Sequence, residues 1–279
     1  MKKKGVFSLR SSAAIAAAAL CLGGFSSATQ AGSIALTGHD DDFHQSAAAL
    51  AQISGMLTFV RAGSALPVLS FDHGIQLTNA LTTLGITFTN VDPNLGVPSA
   101  ALFDTSIYSA VIVASDASCV GCDNDATSSA NLAAASSSFA SFFNAGGGIV
   151  GLAGASNTNY YNFLPLSASN PGIVFDSFGF SQTAQGIIDG IGAVTGDFPH
   201  NFFAFPGAGT DPTFHADEVY NGSSSIGTLV NQPFTIATTG TVTCTGVSCV
   251  INAVPEPTTL ALLGLGFVGL GWRSRRKPS

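Results

Sequence analysis

Basic side chains are almost missing from the middle of this 279-residue chain. Nine Lys and Arg stand against 16 Asp and Glu, and eight of the nine lie in the first ten or the last seven residues. Between Gly32 and Pro257 the one basic side chain is Arg61, so 16 carboxylates against one guanidinium leave a formal charge of -15 there. Such a surface repels phosphate backbones, which excludes nucleic acid as a partner, and it attracts cations, calcium among them. Charged residues make up only 9% of the chain, yet this is not a disordered composition: 46% of the residues are apolar and Phe is abundant. About 226 residues between the ends suffice for one sizeable core.

Several complete motifs are also missing. Gly146-Gly147-Gly148 has no following Lys-Ser/Thr, so it is not a phosphate-binding loop; helix termination and a tight turn explain these glycines better. No EF-hand spacing and no His-x-x-x-His pair occurs. Uncharged apolar runs are short: the C-terminal one, residues 258–272, has 15 residues. That spans only about 22 Å as a helix, short of the roughly 20 residues of a stable membrane helix.

What is present is clearest at the two ends. MKKKGVFSLR, then the small apolar run SSAAIAAAALCLGGF and SSATQA, describe a signal peptide over residues 1–31. Cleavage after Ala31 fits, with Thr29 and Ala31 at the positions that need small side chains. Leu20 is too bulky before Cys21 for a lipoprotein site. At the other end Pro255 and Pro257 hold Glu256 extended. The apolar run follows, and Arg273, Arg275, Arg276 and Lys277 close the chain as a cytoplasmic stop signal. Val254-Pro255-Glu256-Pro257, an apolar helix and an Arg-rich end, over residues 254–279, closely resemble the PEP-CTERM sorting signal of exported Gram-negative proteins. The resemblance implies secretion machinery and an exosortase as partners, passage through the membrane by the C-terminal helix, processing near the motif, and delivery to the cell surface or extracellular matrix. A plain C-terminal membrane anchor is the alternative.

Four cysteines remain after signal removal, Cys119 and Cys122 in SCVGCDND and Cys244 and Cys249 in CTGVSC. An even number in an exported chain favours disulfides. The spacings suggest two local loops, with a crossed pairing open. The Cys-Val-Gly-Cys spacing also suits redox chemistry, but Asp116, Asp123 and Asp125 surround it and disfavour a thiolate; zinc held by all four is a further alternative.

Strand and helix patterns alternate: SIALTG, a helical run from His44 to about Ala62, PVLSF, GIQLTNALTTLG, ITFTNV, YSAVIVAS, a helix over 126–144 with Leu132, Phe139, Phe142 and Phe143 on its apolar side, and GGGIVGLAG. This order predicts an α/β fold, a doubly wound and mostly parallel sheet of the flavodoxin-like or class I amidotransferase-like kind. After Pro165 the pattern loosens into Gly/Phe-rich loops and short strands such as PFTIATT and TVTCTGVSCVI. Residues 221–253 read as a β-rich edge or cap.

Ligand sites of such sheets lie at the carboxyl ends of the strands. Gly38-His39-Asp40-Asp41-Asp42-Phe43-His44, the turn from Gly146 to Gly154, and FHADEVY at 214–220 belong there. Together they resemble a diverged ThuA-like domain of the class I glutamine amidotransferase-like superfamily, over residues 32–220. That family presents Cys or His at the strand-end elbow. This chain has Ala153, which neither attacks a carbonyl, binds a metal nor moves a proton. The remaining candidates for a divalent metal, calcium or zinc, or another ligand are His39, Asp40, Asp41 and His44, with Asp217 and Glu218. Adjacent strand residues point oppositely, so at most one of Asp217 and Glu218 faces a given pocket. Simpler readings stand beside these: Asp42 as the cap of the following helix, the other residues as solvated loops, and His73, His200 and His215 as loop residues.

Three functions follow. The first is a noncatalytic surface or matrix protein whose domain binds a small ligand or carbohydrate, exopolysaccharide included. The second is a metal-assisted enzyme acting on sugars. The third is a structural matrix protein with no small-molecule ligand.

Overall fold

The strand and helix order of the sequence reappears in the computed structural model, which describes residues 31–197, 200–245 and 248–252. In chain order the elements are β1 (Gly32–Thr37), α1 (Asp41–His44), α2 (Ala47–Arg61), β2 (Val68–Phe71), α3 (Gln76–Thr83), β3 (Phe88–Val91), β4 (Ala110–Val113), α4 (Ala126–Ala134), α5 (Ser136–Asn144) and β5 (Gly148–Gly151). There follow β6 (Gly172–Ile173), β7 (Phe180–Gln182), α6 (Ala184–Asp189), β8 (Asn201–Phe202), β9 (His215–Ser224), β10 (Gly227–Thr245) and β11 (Ser248–Asn252).

Five strands pair in parallel in the order β3-β2-β4-β5-β1. Apart from the edge strand β3, which is half exposed, they are short, apolar or small, and buried on both faces, as parallel strands require. Alternate residues feed two cores. On one face Ala35, Val68, Ala110, Ile112 and Val150 meet Ile53, Met56 and Leu57 of α2 and Leu77 and Leu81 of α3. On the other, Leu36, Phe71, Val111, Val113 and Ile149 meet Leu132 of α4 and Phe139, Phe142 and Phe143 of α5. Helices on both faces of a parallel sheet are the α/β architecture that the alternating pattern predicts. Two details differ. The expected helix 126–144 breaks into α4 and α5 at Ala135. The helix expected from His44 starts at Ala47, where Ser46 is the N-cap and its hydroxyl accepts from Ala49 N.

The second half of the chain extends the same sheet with the opposite polarity. β10 pairs antiparallel with β1 from Gly32↔Gly240 to Thr37↔Thr235, and β9 and β7 continue outward. PFTIATT and TVTCT are one 19-residue strand that bulges near Pro233. Pro lacks an N–H for the ladder, so it is tolerated where pairing is interrupted. Among the described residues no helix is long and apolar enough to cross a membrane. The signal peptide and the apolar run 258–272 fall outside the described residues.

Candidate functional site

The strand order reverses between β2, which leads outward to β3, and β4, which leads the other way to β5. Sites of α/β sheets form at the carboxyl ends beside such a reversal. Two tyrosines occupy the strand ends here. Tyr160 Oη donates to Ala114 O at 2.7 Å, and Tyr161 Oη donates to Leu152 O at 2.8 Å and Thr37 O at 3.1 Å. Both rings are buried, and burial pushes both phenols above their ordinary range. Ala153 follows β5, fully buried, with its N–H on Ser115 Oγ and its carbonyl on Asp116 N. Two residues on, Ala155 adopts φ 45°, a left-handed conformation uncommon for alanine. Asn201 accepts its N–H and Asn170 donates to its carbonyl, so the turn is pinned from both sides.

Most of the GHDDDFH stretch is not solvated, His44 being its exposed member. His39, Asp40, Asp41 and Asp42 are all buried. Asp42 does not cap α2; it accepts from Ser115 N at 2.9 Å and Ser115 Oγ at 2.6 Å, which ties the end of β1 to that of β4. Asp217 and Glu218 are buried as well, in a strand and not in a surface loop. With Arg61 committed to Ser109 Oγ and Leu66 O, no guanidinium or ammonium balances these acids among the described residues. Desolvation, followed by the repulsion of Glu218, Asp40 and Asp42, holds the Asp41 carboxyl well above the usual range. Burial pushes Asp42 to about 7 against the bonds from Ser115, and Asp72 to about 6.

Five of the six candidate residues separate into three groupings, while the sixth, Asp41, is buried with no hydrogen-bond partner on its Oδ2. His39 Nε2 lies 3.2 Å from both oxygens of Glu218, which also accepts from Gln52 Nε2, Thr235 Oγ1 and Val194 N. The ring of His39 packs on Phe234 and Phe180, and its buried Nδ1 has no partner. Asp40 instead receives His200 Nε2 at 2.9 Å and His44 Nε2 at 3.4 Å, with both imidazoles partly exposed. Cys119 Sγ adjoins Asp40 and His200, but it is bonded to Cys122 and offers no thiolate to a metal. Asp217 lies beside His215, which also meets Asp189, rather than joining the Glu218 contacts.

Sequence reasoning missed His200, Ser115 and the two tyrosines as members of the strand-end network, and Asp189 as the partner of His215. No local pattern marks them, because their partners lie far away in the chain. His73 is a loop residue bonded to Asp92 Oδ1 at 2.9 Å. Cys119–Cys122 is a disulfide as expected. The register of β10 and β11 sets Cys244 opposite Cys249, but their side chains lie outside the described part.

No curated protein and no solved structure matches the chain, so the likeness to ThuA-like domains rests on the short stretches quoted above. The family model of the PEP-CTERM protein-sorting motif matches residues 253–277. By that C-terminal signal the chain is a PEP-CTERM protein, an exported protein sorted by an exosortase.

Proposed function

We propose that the domain is a noncatalytic binding module of the cell surface or extracellular matrix, and that its ligand is a neutral, hydroxyl-rich exopolysaccharide. The observation that carries the reading is the strand-end elbow. Ala153 is buried and bears only a methyl group, while the carbonyls around it are closed by Tyr160 and Tyr161. A nucleophile and its base are the starting point of amidotransferase chemistry, and the elbow provides neither. What faces solvent nearby is the imidazole rim of His44 and His200 on Asp40, with side-chain exposures of 29% and 19%. Imidazoles and a carboxylate offer sugar hydroxyls both donors and acceptors. The near absence of Lys and Arg disfavours acidic glycans.

The test is binding of the exported chain to an array of neutral and acidic polysaccharides, with His44→Ala/His200→Ala as the variant. Retention on neutral glycans that drops at least ~10-fold in the variant supports the reading. Retention on none, or equal retention by both proteins, overturns it. Hydrolysis of a glycan by the wild type would select the enzyme reading instead.

A further inference from the structure

A second polar cluster lies between β9 and α6, and it is independent of the binding reading above. His215 and Asp217 are two apart on β9, and at the register irregularity between Ala216 and Glu218 their side chains lie together. Thr183, the N-cap of α6, holds that helix against the strand: its N–H donates to Asp217 O at 2.8 Å and its hydroxyl to Ala216 O at 2.7 Å. Gly186 completes the fit, because any side chain there would run into the backbone of Asp217. The helix ends at Asp189, whose carboxylate is oriented by Gln185 Nε2 at 3.2 Å.

Three groups converge as a result. His215 Nε2 is 2.7 Å from Asp189 Oδ2 and 3.5 Å from Asp217 Oδ1. One ligand atom from each residue lies within 4.8 Å of the others. Asp217 is fully buried, and neither of its oxygens has a hydrogen-bond donor. A buried carboxylate without donors is costly unless a charge meets it. Arg61, the only fixed cation between Gly32 and Pro257, is engaged elsewhere. Asp217 therefore lacks the partner that a buried carboxylate needs, and a cation held jointly with His215 and Asp189 would supply it.

We infer that Asp189, His215 and Asp217 form a binding site for a first-row divalent cation of the zinc class. One imidazole nitrogen and two carboxylate oxygens suit such metals, whereas calcium prefers oxygen alone. Open positions face solvent on the side of His215, which is 35% exposed, so water or a ligand group completes the shell.

The experiment is zinc titration of the chelator-stripped, full-length exported chain by calorimetry, followed through thermal melting. The expected result is one equivalent of zinc that raises the melting temperature. Asp217→Asn and His215→Gln each weaken it at least ~10-fold, and Asp40→Asn leaves it unchanged. His215→Gln changes a partly exposed side chain, so it serves where Asp217→Asn alters folding. No uptake at millimolar zinc overturns the site. So does uptake that survives both substitutions, or uptake that is lost with Asp40→Asn.

Discussion

Asp42 sits in a dry place beside Ser115 with no fixed cation at hand. Its carboxyl is raised from near 3.8 to about 7, so the folded chain keeps a proton that the unfolded chain releases within that interval. The contribution is therefore complete below about 4 and is lost as pH rises through 7, by an amount on the order of a few kcal/mol. Asp42→Asn carries no charge at any pH and retains an acceptor for Ser115 N. We expect it to raise the melting temperature by roughly 3–6 °C at pH 8 and to change it by less than about 1 °C at pH 4.5. Equal shifts at both pH values would show that burial of the charge is not the cause. That His and Asp concentrate at the end of the first strand is plain in the sequence. That Asp42 reaches Ser115, 73 residues on, is not.

At the scale of elements, the apolar side of the α4–α5 stretch is legible from spacing alone: Leu132, Phe139, Phe142 and Phe143 are all buried. Phe139 is the centre of an aromatic group, with ring centroids 4.8 Å from Phe103, 4.9 Å from Phe163 and 5.9 Å from Phe71. Phe139→Ala should cost about 3–5 kcal/mol in urea denaturation, the usual price of a buried phenyl cavity. A cost below about 1 kcal/mol would mean that α5 is not fastened to the sheet through this ring. Elements in the second half were less legible. Gly, Pro and Asn interrupt the apolar alternation of β10, so a 19-residue strand reads locally as separate short ones. The gain that holds them together is long-range pairing with β1, which no sequence window contains.

For the whole molecule, charge and sorting are properties of composition and of the chain's ends. The C-terminal motif makes a prediction that can be read without the fold. If an exosortase cuts near Pro255-Glu256-Pro257, Glu256→Ala leaves the surface fraction depleted and a longer form in the membrane fraction. Mass spectrometry of the two fractions measures this, and unchanged mature mass and distribution would show that Glu256 is not read. The sequence by itself determined this address, the acidity of the domain and the alternating elements of the parallel half, because each depends on residues close together or on counting. Tertiary structure alone decided that β10 closes on β1 and that the buried acids divide among His39 with Glu218, Asp40 with His200, and Asp217 with His215. His39 and Glu218 are 179 residues apart. Which acid meets which imidazole depends on how strands of opposite polarity register, and only the packed sheet sets that register.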